Sequence, residues 1–152
     1  MKKIIIGLLV IAIIIIGLFT LGGLDLGGLN NQNEIDFGNT KFYLPNGFQE
    51  SGVIESGDIN ASNGYESIYF HKYNDTELTE HVNAYVNERK ADNFTPILTN
   101  FTVNDTLVYK TVIVNQTHSM HYWFIKDGTV FSVYTWDGIP KMDQIVSDLV
   151  VS

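Results

Sequence analysis

Hydrophobic and polar positions divide the chain into two regimes. From Ile4 to Leu21 (IIIGLLVIAIIIIGLFTL) the run carries no charge, and Thr20 is its one polar side chain. At about 1.5 Å of rise per residue it reaches roughly 27 Å as a helix, close to the thickness of a bilayer core. A lone span in lipid must satisfy its own backbone hydrogen bonds, so the pattern predicts a transmembrane helix. Leu21 to Asn33 (LGGLDLGGLNNQN) has neither a helical nor a strand period and reads as a tether. From Asp36 onward, apolar positions come in short β-rich bursts broken by Gly, Asn and Asp. The expected organisation is a cytoplasmic stub and anchor over 1–21, a tether over 22–35, and one domain over 36–152.

Within that domain the pattern predicts strands at Lys41–Leu44 and Phe48–Ile54, separated by the Pro45-Asn46-Gly47 turn, and a loop from Glu55 to Gly64. Tyr65–Tyr73 alternates: Ile68 and Phe70 on one side, Tyr65, Tyr69, His71 and Tyr73 on the other. An aromatic outer face implies that something covers it. Leu78, Val82, Tyr85 and Val86 form one helical stripe, predicting a helix over Glu77–Ala91, with Asn74, Asp75 and Thr76 as cap candidates. Strands follow at Leu98–Val103, Thr106–Val114, Ser119–Ile125 and Thr129–Trp136. Asn104-Asp105 and Asp127-Gly128 are the hairpin turns. Pro140 suits a helix N1 position, and Met142, Ile145, Val146 and Leu149 make a closing amphipathic stripe. Thr106–Val114 is apolar on both faces, as expected of a strand in a sheet covered on both sides.

Charge adds orientation. Lys2 and Lys3 precede the apolar run and the next basic residue is Lys41, so the positive-inside rule keeps the N-terminus in the cytoplasm and the domain outside. A cleaved signal peptide is the competing reading. The run exceeds the usual apolar core of such peptides, and no Ala-x-Ala site follows it. The chain has no cysteine, which excludes a lipid-modified lipoprotein and leaves packing alone to hold the domain together. With 17 acidic against 9 basic residues the net charge is -8, which argues against nucleic acid or anionic lipid as a partner of the domain. A basic partner or simple solubility fits that balance.

Six Asn-x-Ser/Thr sequons stand at Asn60, Asn74, Asn93, Asn100, Asn104 and Asn115, where composition alone predicts about two. For a domain outside the cytoplasm they are glycosylation candidates. Asn100 is the misfit, because it lies inside an expected strand. His118 and His121 are three apart and point to opposite faces of a strand, so with His71 and His81 elsewhere no metal site is expected. No Gly-x-Ser-x-Gly elbow, His-Glu-x-x-His or phosphate-binding loop is present, so no catalytic residue and no cofactor is expected. The aromatic set Tyr65, Tyr69, Tyr73, Tyr122, Trp123 and Trp136 fits either core filling or a ligand surface. Tyr69, His71, Tyr73 and Trp123 are the surface candidates.

The element order, the opening Phe42-Tyr43-Leu44-Pro45-Asn46-Gly47-Phe48 and the Asp127-Gly128 hairpin before a final helix together resemble the PsbP/Mog1-like family over Asp36–Ser152. The resemblance implies an α+β sandwich, a central antiparallel sheet flanked by helices, and carries no catalytic signature with it. The expected function is a non-catalytic binding or envelope-structural role in a single-pass membrane protein, with an envelope protein or glycan as partner. The rival is a wall- or glycan-directed enzyme, which an exposed cleft lined by two converging carboxylates or a His–carboxylate pair would favour, whereas a filled sheet with only scattered polar groups would favour binding.

Overall fold

The computed structural model describes residues 33–113 and 119–152. The apolar segment Ile4–Leu21, most of the tether, and the sequon at Asn115 lie outside the described residues. Among those residues no helix is long and apolar enough to cross a membrane.

Two short strands, β1 (Glu34–Asp36) and β2 (Lys41–Tyr43), pair with each other. The remaining strands are β3 (Gln49–Val53), β4 (Ile59–Ser62), β5 (Ser67–Lys72), β6 (Pro96–Val103), β7 (Thr106–Ile113), β8 (Ser119–Lys126) and β9 (Thr129–Thr135). They form one antiparallel sheet in the order β3-β4-β5-β9-β8-β7-β6. Helix α1 (Leu78–Ala91) connects β5 to β6, and α2 (Met142–Val151) closes the domain. The expected order of three strands, a helix, four strands and a helix gains two strands. β4 occupies the expected loop, because its apolar face is only Ile59 and Ala61, too little to give a visible period. β1 takes Glu34 and Ile35 from the expected tether, and Ile35 is fully buried.

The sheet buries both faces unequally. On one face Ile68, Phe70, Val108, Tyr122, Phe124, Phe131 and Val133 pack against Met142, Val146 and Leu149 of α2 and against Ile35 and Phe42 of the β1–β2 hairpin. Phe42 sits 5.5 Å from Phe70, 6.1 Å from Phe124 and 5.0 Å from Phe131, ring centre to ring centre. The contacts with Phe124 and Phe131 are edge-to-face, a geometry that adds to the burial of the rings themselves. On the other face, among the described residues, only α1 covers the sheet, laying Leu78 and Val82 over Trp123 and Val130. One fourteen-residue helix is too narrow for a seven-stranded sheet, so the described residues leave part of that face uncovered.

Helix ends differ from the sequence expectation in detail. Glu77 is the cap residue of α1 without a side-chain cap bond, while Asp75 Oδ1 accepts the Glu77 N–H at 3.0 Å. Pro140 precedes α2 rather than opening it: Lys141, in the left-handed region at φ 61°, turns the chain into Met142.

Candidate functional site

Strand register brings the open face together row by row. Asn60, Tyr69, Tyr134, His121 and Thr111 are neighbours across β4, β5, β9, β8 and β7. The adjacent row runs His71, Ser132, Trp123, Tyr109. Because side chains two apart share a face, both rows project toward α1. From α1, Tyr85, Glu88 and Arg89 come down over them. These three, His71, His121, Ser132 and Tyr134 from the two rows, and Ser56, Asp58, Tyr73 and Trp136 line an open cleft of about 420 Å³, within the range of small-ligand sites.

Asp58 anchors the polar side of the cleft. It is 6% exposed and follows the Gly57 turn, whose φ of 88° an ordinary residue would resist. One carboxylate oxygen meets His71 Nδ1 at 2.5 Å and the other accepts the Tyr134 hydroxyl. Burial works against the charge on Asp58, but the hydrogen bonds from Tyr134 and His71 outweigh it and hold the carboxyl below its ordinary range. The Tyr134 hydroxyl is pushed up, by burial first and then by donating to Asp58. With Nδ1 committed to Asp58, His71 is fixed in orientation, the arrangement by which a carboxylate sets which ring nitrogen faces a ligand.

His121 forms the floor. Its ring lies parallel to Trp123, 4.0 Å between centroids and 4° between planes, and stacks on Tyr134 at 4.7 Å. Burial drives its pKa down to about 3, so the imidazole is neutral at any ordinary pH. Arg89 bridges Glu88 at 2.5 Å and Asp92 at 3.2 Å, and its guanidinium lies 5.6 Å from the Tyr85 ring centre.

Buried polar atoms without a hydrogen-bond partner gather on this face. Among the described residues they are Asn60 Oδ1, Tyr85 Oη, Arg89 Nε, Thr111 Oγ1, His121 Nε2 and Ser132 Oγ. Native proteins pair nearly all such atoms. Here every one belongs to α1 or to a sheet position facing it, and four belong to cleft-lining residues.

Of the surface candidates named from sequence, His71 and Tyr73 line the cleft. Tyr69 stacks on Tyr134 at 5.0 Å, one ring behind it. Trp123 is a correction. It is fully buried under α1, stacks behind His121 and donates to the Tyr73 hydroxyl at 3.3 Å, so it supports the site and cannot touch a ligand. Tyr122 faces the α2 side, where it donates to Asp143 at 2.7 Å. Sequence reasoning missed Asp58, Arg89, Ser132 and Tyr134. A lone acid after a Gly turn and a serine within a strand carry no local signal; register alone assembles them. Among the described residues no group of three or more His, Cys, Asp or Glu side chains converges as a metal site. The sequons Asn74, Asn93, Asn100 and Asn104 are exposed, whereas the side-chain oxygen of Asn60 is buried.

No family model matches the chain, and no curated protein matches it. Among solved structures, the solution structure of cyanobacterial PsbP (CyanoP) from Synechocystis sp. PCC 6803 aligns with a TM-score of 0.50 at 12% identity. The match covers 76% of this chain and 86% of that one. The fold is PsbP-like. That likeness extends to the α+β architecture, the large antiparallel sheet and its two helices. At this identity a PsbP-like fold carries no functional residue across.

Proposed function

We propose that this chain is a membrane-anchored, extracytoplasmic binding protein whose PsbP-like domain holds a small polar ligand in the cleft under α1. The observation that carries the reading is the concentration of buried donors and acceptors without a protein partner on one face of the sheet, with Arg89 Nε, His121 Nε2 and Ser132 Oγ on residues lining a single cleft, whereas Tyr85 Oη has the Ser119 and Thr111 hydroxyls beside it. A ligand with both donors and acceptors would satisfy them, and Tyr73, Tyr134 and Trp136 offer apolar ring surface beside them. The anchor rests on the uncharged run Ile4–Leu21, and the outward orientation on Lys2 and Lys3 before it.

The test has two arms. Protease added to intact cells is expected to remove Asn33–Ser152, and protection of that part until lysis would end the extracytoplasmic reading. Full-length protein in detergent, titrated with soluble envelope saccharides, is expected to show shifts of the His121 and Trp136 ring resonances. Shifts confined to residues away from the cleft would end the binding-site reading.

One observation favours the enzyme instead: Asp58 and His71 form the His–carboxylate pair of a general base. Ser132 Oγ, which lies across from His71 in the strand register, has no hydrogen-bond partner and so is not activated by it in this arrangement. Binding is therefore the leading reading. Turnover of a wall or glycan substrate that His71→Gln abolishes would reverse the order.

A further inference from the structure

The two edges of the sheet are built differently. At one edge β3 is five residues long, shifts register between Glu50 and Gly52, and carries a glutamate. Short length, a bulge and charge are the usual devices that stop an open strand from pairing with another chain. At the other edge β6 runs eight residues, roughly 26 Å, and among the described residues nothing pairs with its outer side. Its register with β7 is unbroken from Pro96 to Val103. From Asn93 to Asn104 (NFTPILTNFTVN) there is no charged side chain. Ile97 is 50% exposed and Leu98 41%. Pro96 guards only the first position. An uncharged, regular, β-prone edge of this length is a template for self-association.

Three of the six sequons lie on this same segment. Asn93, at φ 63°, is in the turn before β6, Asn100 is in the body of the strand, and Asn104, at φ 44°, is in the turn after it. All three are exposed. Asn60, by contrast, lies in β4, paired on both sides, with its side-chain oxygen buried. A strand with one partner peels from a sheet at lower cost than one with two, so β6 can present Asn100 in extended form to a transferase. We propose that Asn100 carries an N-linked oligosaccharide, and that this glycan is the guard of the β6 edge. It takes the place of the charge and bulge that protect β3, and it accounts for a sequon inside a strand.

The chemistry requires a phosphate-activated, lipid-linked oligosaccharide as donor. The bond between the anomeric carbon and the donor phosphate oxygen breaks, and the phosphate leaves with the bonding pair. A bond forms from that carbon to Asn100 Nδ2, and the amide gives one proton to a base of the transferase. A hydrated glycan beside the edge blocks a second strand by bulk, without altering the β6–β7 ladder. The inference rests on the extracytoplasmic reading, since the acceptor must face the donor's side of the membrane.

Glycopeptide mass spectrometry of the full chain from its own membranes is expected to find Asn100 occupied and Asn60 bare. Asn100→Gln and Thr102→Ala each destroy the sequon, and both are expected to move the detergent-solubilised chain from monomer to larger species while keeping its near-UV circular dichroism. Adding Leu98→Lys, which restores a charged guard, is expected to return the monomer. A bare Asn100 in the native chain overturns the proposal, as do two sequon variants that stay monomeric. If Asn100 is bare while external protease still digests the domain, the guard falls and the orientation stands. If the domain is protease-protected as well, both fall.

Discussion

His121 is held neutral between aromatic rings, and that has a sign in pH. Its pKa is about 3 in the folded protein and near 6.5 in an unfolded chain, so the unfolded state binds the extra proton first. Stability is therefore complete above pH 6.5 and falls as pH drops toward 3, at up to about 1.4 kcal/mol per unit. Replacement by phenylalanine keeps the stack on Trp123 and removes the titration. Urea unfolding midpoints measured across pH 4 to 7 are expected to slope for the parent chain and flatten over that window for His121→Phe. Asp58 acts lower on the scale. Its folded pKa is depressed, so its contribution is present above the ordinary carboxylate range and lost as pH falls through the folded value. Tyr134→Phe takes away one of its donors in a buried setting and is expected to cost about 1–3 kcal/mol in urea unfolding, and to raise the Asp58 pKa followed by carboxyl NMR. A cost below the error of the method would show that the Tyr134–Asp58 bond is not part of the folded site.

Elements were readable where one short motif or one apolar stripe determines them. Asp127 and Gly128 take φ 50° and 73°, and Asn104 and Asp105 take 44° and 63°, the left-handed pairs that two-residue hairpins require. The stripe Leu78, Val82, Val86 and the stripe Met142, Val146, Leu149 are the buried faces of α1 and α2. β1 and β4 were not readable, because three or four residues with one or two apolar positions carry no period. The cleft was half readable: alternation put His71 and Tyr73 on an outer face, but their meeting with Asp58, Arg89 and Ser132 depends on pairings distant in sequence. One element-level device was invisible for the same reason. Lys126 on β8 reaches the C-terminus of α2 and donates to the Leu149 carbonyl at 3.0 Å and the Val150 carbonyl at 3.3 Å. It also lies 5.1 Å above the Phe42 ring. Burial lowers its pKa, yet the charge sits at the negative end of the helix dipole. Lys126→Met keeps the aliphatic stem and removes these bonds. The expected loss is about 1 kcal/mol in thermal or urea unfolding, with faster amide exchange confined to the last turn of α2.

At the scale of the whole molecule, the start of the domain decides how the α2 side of the sheet is sealed. Ile35 is fully buried in the core shared with Phe42, Phe70 and Phe131, and it belongs to a strand of only three residues. Leu44 N–H donates to the Asn33 carbonyl at 2.7 Å, closing the β1–β2 pair at its open end. Thr40 in the intervening turn donates to Asp127 at 2.9 Å, tying this hairpin to the one between β8 and β9. The hairpin is thus a lid whose hold on the sheet is the packing of Ile35, Phe42 and Leu44, with few bonds besides. A chain beginning at Asn33 retains all of it. A chain beginning at Phe37 loses Ile35 and every backbone pair of β1, leaving Phe42 beside a void. Removing one such side chain alone costs about 2–5 kcal/mol, against a total stability of roughly 5–15 kcal/mol for a domain. The two chains, compared by urea unfolding, are therefore expected to differ by several kcal/mol. The shorter one should bind a hydrophobic dye through its exposed phenylalanines. Equal midpoints would mean that the sheet and α2 seal the core unaided, and that the fold begins where the strand alternation first becomes visible, after Asp36.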